Sequence, residues 1–149
     1  MSWLGPCVVA VVALVFALMF THRGRLRAVF YLTACAAMGF ALDTSLTLAG
    51  LLEFPRDGQP TLSPLWMTAL WVNFAAFAPV GLRWLYGRGA LAATLGAAGG
   101  PAAYWAGQRL GALEWSAPQA PAAVAAEWAA ATPAILWLAM WLERGGRAA

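Results

Sequence analysis

Three polar side chains stand in stretches that are otherwise almost wholly apolar: Asp43 in ALDTSLTLAG, Asn73 in LWVNFAAF and Glu127 in VAAEWAAA. An ionisable group at membrane depth is costly, so by default it marks a functional site. Two chemistries fit. In one, Asp43 and Glu127 hold a proton or a cation, or polarise a small ligand, because two close carboxylates do not readily both stay ionised. In the other, they orient the polar end of a lipid-like molecule entering from the outer leaflet. Against both stands a plain structural role, hydrogen bonding between helices, with Asn73, Thr44, Ser45, Tyr104 or a snorkelling Arg109 as partners. The ligand or proton site candidates are therefore Asp43, Thr44, Thr47, Asn73, Tyr104, Arg109 and Glu127.

Helical spacing says what these groups face, since positions i, i+3, i+4 and i+7 share a side. Asp43 lies with Ala36, Gly39, Thr47 and Gly50, and with Phe40 and Leu46 alongside; Glu127 lies with Ala120, Ala123, Val124, Ala130, Ala131 and Ala134; Asn73 lies with Ala69, Ala76 and Phe77. Small residues dominate the first two faces, as they do where helix backbones approach closely. Gly96 and Gly100 repeat the pattern in G-x-x-x-G spacing, followed by Pro101, so Gly39, Gly96, Gly99, Gly100 and Pro101 are candidate packing positions.

The elements that carry these residues are long apolar runs. About 20 apolar residues suffice to cross a bilayer, and five segments meet or approach that length, at 3–20, 28–52, 65–82, 90–107 and 121–142. Between them lie THRGRLR, EFPRDGQPTLSP, RWLYGRG and QRLGALEWSAPQAP, rich in Gly, Pro and Arg. Arg23, Arg25, Arg27, Arg83, Arg88, Arg144 and Arg147 fall on one side of the spans, Arg56 and Arg109 on the other. The basic side is expected to face the cytoplasm, which places the N-terminus of this chain outside and the C-terminus inside. By helix rise, Asp43 then lies roughly 5 Å outward of its span's midpoint and Glu127 roughly 7 Å outward of its own, at matching depth. Trp66, Trp84, Trp105, Trp115 and Trp141 fall near the interfaces, where indoles are favoured.

Composition agrees. The chain has 149 residues, 62% hydrophobic and only 10% charged, with a mean hydropathy of +0.69, far from soluble averages. Its net charge of +3 comes entirely with arginines set beside apolar runs, which argues for the membrane surface and against nucleic acid. The N-terminal run lacks a basic leader region and an A-x-A-like cleavage site, so it reads as a retained helix; Cys7, preceded by Pro6, reads as a small buried residue and not as a lipoprotein cysteine. Cys7 and Cys35 lie roughly 14 Å apart along the membrane normal, beyond disulfide reach. His22, the single histidine, sits in a basic loop and cannot build a metal or haem site. H-E-x-x-H, G-x-S-x-G, P-loop and dinucleotide signatures are missing, which disfavours hydrolase and ATPase readings. No cofactor or metal is implied.

With these residues in place, the chain resembles a family of small bacterial inner-membrane proteins, domain of unknown function 2878. The resemblance is carried by WLGP near the start, LDTSLTLAGLLEF, PLWMTALWVNFA, LRWLYGR and GAAGGPAAYWAGQRLGALEW, which together run along most of the chain. It implies a compact multi-helix membrane fold with no assigned activity. It also implies a further hydrophobic segment upstream of WLGP, hence six helices in the family, and an encoded neighbourhood of fatty-acyl-modifying enzymes.

The sequence thus predicts an all-α, polytopic membrane helix bundle, a single integral-membrane domain over residues 1–149 with five transmembrane helices. The function expected first is a binding or accessory subunit of a membrane enzyme system, engaging a lipid-like ligand, a membrane protein partner or a second copy through an outward cavity around Asp43. The alternative is a small proton- or cation-coupled transporter in which Asp43 or Glu127 titrates. An enzyme using Asp43 as acid or base on membrane lipid has no motif behind it.

Overall fold

The structure is a computed structural model and describes residues 22–54 and 62–147. Four long helices carry most of this length: α1 (His22–Leu48), α2 (Leu65–Gly81), α3 (Gly89–Arg109) and α4 (Ala120–Arg147), with a 3-10 turn at Arg83–Leu85. The expected segment at 3–20 lies outside the described residues. Leu26–Leu48 and Ala120–Arg144 are long and apolar enough to cross a membrane, each with a mean hydropathy of 1.4. Five transmembrane helices are therefore not what the described residues carry. α2 is apolar but only 17 residues long, and in α3 the glycines, Pro101, Tyr104 and Trp105 lower the mean hydropathy.

Two short strands depart from the all-α expectation. β1 (Leu52–Glu53) and β2 (Glu114–Trp115) pair antiparallel, Leu52 opposite Trp115 and Glu53 opposite Glu114. The reason lies in the chain just before each strand. α1 ends short of the expected position 52 because Gly50 adopts a positive φ of 68°, which glycine tolerates without steric cost. Gly50 N–H then bonds Thr47 carbonyl and Leu51 N–H bonds Leu46 carbonyl, both at 2.9 Å. Gly111, φ 65°, ends α3 the same way, with Gly111 N–H on Gln108 and Ala112 N–H on Gly107. These are paired Schellman stops. Each releases the same local sequence, glycine, one residue, Leu-Glu and an aromatic: GLLEF at 50–54 and GALEW at 111–115. In each, the leucine is buried and the glutamate exposed, as alternation on a strand requires.

The described residues form two compact units, one within 22–39, 65–87 and 135–147, the other within 40–54, 62–64 and 88–134. In the first, Trp71 and Tyr31 are the largest buried side chains. A Cβ on Gly39 would overlap the Trp71 ring, so glycine is what lets α1 and α2 approach. Pro79 lies inside α2 and has no N–H to give the carbonyl four residues earlier. That carbonyl, on Ala75, instead accepts the Tyr31 hydroxyl at 2.9 Å. A neighbouring helix thus satisfies the backbone group that the proline frees, which is how such prolines are tolerated in apolar surroundings.

The second unit is cored by Leu46, Leu52, Phe54, Leu113, Ala120, Val124 and, unusually, Asp43. Here α3 meets α4 through Gly96 and Gly100: a Cβ on Gly96 would strike the Trp128 carbonyl and Thr132 Oγ1, and one on Gly100 would strike the Trp128 ring. Gly99, grouped with them on sequence, is exposed with no atom within 4 Å of its Cβ position. It lies off the Ala92, Gly96, Gly100, Tyr104 row that α3 buries. Pro101 is half-buried within the same helix.

Large apolar side chains stay exposed on every long helix, including Phe30, Leu48, Leu65, Val80, Leu95, Trp105, Trp137 and Trp141. The close approach at Gly100 makes a selective prediction. Gly100→Leu should destabilise by about 1–3 kcal/mol, as overpacking does, whereas Gly99→Leu should leave the melting temperature unchanged or raise it slightly, because it only improves helix propensity. Thermal unfolding in detergent micelles reads the difference, and equal losses at both positions would contradict the packing described.

Candidate functional site

The second unit brings three of the sequence candidates together. Asp43 sits near the end of α1, Tyr104 in the second half of α3 and Glu127 in the first half of α4. Asp43 has no solvent exposure, Tyr104 is 3% exposed and Glu127 8%. The Tyr104 hydroxyl donates to Asp43 Oδ1. Glu127 interacts electrostatically with both Asp43 and Tyr104. Its Oε1 is buried with no hydrogen-bond partner among the described residues. A phenol that donates to one carboxylate while a second carboxylate stands beside it makes an acceptor-rich site. It has room in its bonding, at Glu127 Oε1, for one more donor.

Local sequence explains the placement. The small residues flanking Glu127 on its face, with Ala120, Val124 and Ala131 buried, keep α4 close to its neighbours. The Thr47 hydroxyl donates to the Asp43 main-chain carbonyl at 2.9 Å, the common back-bond of a helical threonine, so Thr47 steadies the helix and does not reach the carboxylate through this bond. Thr44 Oγ1 accepts the Ser63 N–H at 3.1 Å, which anchors the chain entering α2 beside the Asp43 turn. Trp115 of β2 lies against Tyr104, ring centroids 6.2 Å apart and tilted by 32°. The ribbon therefore holds the phenol that holds Asp43.

Two candidates lie elsewhere. Arg109 is exposed, its guanidinium 5.4 Å from the centre of the Trp105 ring. That cation–π stacking occupies it in place of the snorkelling contact with the carboxylates. Asn73 is half-buried on α2 and belongs to the first unit. What the sequence reading missed is the ribbon, with Trp115, and the Ser63 contact. The signal available was the repeated G-x-L-E-aromatic segment, whose second copy reads as loop when taken alone.

The fold and site define a predominantly helical protein with, among the described residues, two helices suited to crossing a membrane and a buried carboxylate–phenol–carboxylate group. Within that class the chain belongs to the family described as Protein of unknown function (DUF2878), whose model matches residues 1–134, a span that includes Asp43, Tyr104 and Glu127. No curated protein and no solved structure matches the chain.

Tyr104→Phe removes the donor to a fully buried carboxylate and is expected to cost about 1–2 kcal/mol of stability. Arg109→Gln, on an exposed stacking pair, is expected to change stability by less than about 0.5 kcal/mol. Denaturant titration of the two variants checks this ordering; a neutral Tyr104→Phe would show that the bond does not matter to the fold.

Proposed function

We propose that the protein is a multi-pass helical protein of the bacterial inner membrane that binds the polar end of a lipid-like molecule, acting as an accessory to a membrane enzyme system. The large apolar side chains exposed on all four long helices support the membrane placement, because a water-facing protein rarely leaves so many uncovered. The arginine distribution supports an orientation with the basic segments at 21–27 and 83–89 on the cytoplasmic side, the first of which, from His22 on, is the opening of α1 and not the loop that the sequence suggests. The observation that carries the binding function is the buried Glu127 Oε1, unpartnered among the described residues, beside the bonded Asp43–Tyr104 pair. An orphaned buried acceptor calls for a donor, and a hydroxyl or amine at the head of an amphiphile supplies one from the apolar phase.

A second reading, proton- or cation-coupled transport, is favoured by the near-complete burial of Asp43 and Tyr104, which suits an occupant as small as a proton. Native mass spectrometry of the gently extracted protein separates the two. The binding reading predicts a stoichiometric lipid-like adduct that Glu127→Leu loses and that Asp43→Asn, which still accepts the Tyr104 hydrogen bond through its amide oxygen, keeps. An adduct-free protein, together with a pH-dependent flux in reconstituted vesicles that Asp43→Asn abolishes, would replace binding with transport.

A further inference from the structure

The first unit contains a second feature that the carboxylate group does not involve. A cavity of about 290 Å³ is lined by Arg83, Tyr86, Gly87, Met140, Glu143 and Arg144. Glu143 is the single acidic residue in this lining, and both its oxygens are taken: Oε2 by the Arg83 guanidinium at 3.1 Å and Oε1 by the Tyr86 hydroxyl at 3.2 Å. Burial, reinforced by the Glu143 carboxylate, pushes the Tyr86 phenol up to about 12, so it remains a protonated donor at any physiological pH. The Glu143 bond uses one of the five N–H donors that Arg83 carries. Arg144 pairs with no carboxylate among the described residues. The cavity therefore presents two guanidinium groups, with the intervening carboxylate already bonded on both oxygens.

Its surroundings say what kind of anion reaches it. Trp84 and Trp141, each next in sequence to a lining residue, are 53% and 55% exposed, as indoles at headgroup depth are. Along the same helices Phe77, Val80 and Trp137 are also exposed, so apolar surface leads up to the arginines. Basic pockets at the cytoplasmic ends of membrane helices suit phospholipid headgroups, and guanidinium groups match phosphate oxygens in pairs.

We propose that this cavity binds the phosphoryl headgroup of an anionic phospholipid in the inner leaflet, through Arg83 and Arg144. The inference rests on the membrane placement argued above but not on the Asp43 group. The bland role for the same arginines is to complement the helix C-termini, where positive charge is favoured. That role affects stability without selecting a headgroup.

The test is lipid retention by native mass spectrometry of the full chain in a zwitterionic detergent, offered phosphatidylglycerol or phosphatidylcholine. Phosphatidylglycerol is expected to be retained about tenfold more, and Arg144→Gln, which leaves the Arg83–Glu143 pair intact, is expected to remove most of that preference. Asp43→Asn is expected to keep it. Equal retention of the two lipids, or a preference that survives both Arg144→Gln and Arg83→Gln, overturns the proposal. So does stabilisation by inorganic phosphate alone without lipid preference, which assigns the cavity to a soluble anion. Loss of preference by a protein still found in the membrane fraction is a failure of this site only; recovery of the wild type in the soluble fraction is a failure of the membrane placement itself.

Discussion

A carboxylate with no access to water must be satisfied by the protein around it, and Asp43 imposes that requirement on everything near it. An unbonded carboxylate at such a position would cost several kcal/mol. Tyr104 meets the demand by donating its hydroxyl. The Tyr104 ring must then be held where its oxygen reaches α1, and Trp115 packs against it to do so. The position of Trp115 is in turn fixed by the β1–β2 register opposite Leu52. One hydrogen bond thus gives a reason for a helical protein to interrupt itself for two residues of strand before α2 and again after α3.

Two features of composition make this geometry possible. Glycines at 96 and 100 remove the side chains that would keep α3 from the Trp128 segment of α4, so Glu127, the preceding residue, comes within electrostatic reach of Tyr104 and Asp43. Glycines at 50 and 111 stop their helices in the left-handed conformation and aim both chains into the ribbon. Substituting either pair acts on the carboxylate group without touching it, the first by pushing helices apart and the second by misdirecting the strand that carries Trp115.

Much of this was legible in the sequence. The spacing of Ala36, Gly39, Asp43, Thr47 and Gly50 puts Asp43 on an inward face; Gly39, Asp43 and Thr47 are buried, Ala36 is half-buried, and Gly50 is exposed because its left-handed conformation ends the helix before it. Helix rise predicts that Glu127 and Asp43 share a level, and the fold brings the two within electrostatic reach of each other. The G-x-x-x-G spacing of Gly96 and Gly100 predicts a close approach, and both glycines lie against α4. The ribbon was not legible because two-residue strands have no periodicity to detect, and the apolar run of α1 continues unbroken past Gly50 to Leu52. Arg109 was misplaced because a sequence shows its reach but not its competitor: stacking on Trp105, four residues before it on the same helix, is closer at hand than a buried carboxylate. The freed Ala75 carbonyl was implied by Pro79, but its partner Tyr31 lies 44 residues away and only the fold brings it there.

The central claim is that Asp43 and Tyr104 act as one energetic unit around which the second unit of the chain is assembled. A double-mutant cycle tests it most directly, combining Asp43→Ala and Tyr104→Phe and measuring unfolding free energy in the same detergent. The account predicts that the double variant loses less than the sum of the single losses, with a coupling of about 1 kcal/mol or more, toward the upper end of what interhelical hydrogen bonds show. Strict additivity of the two losses would contradict it.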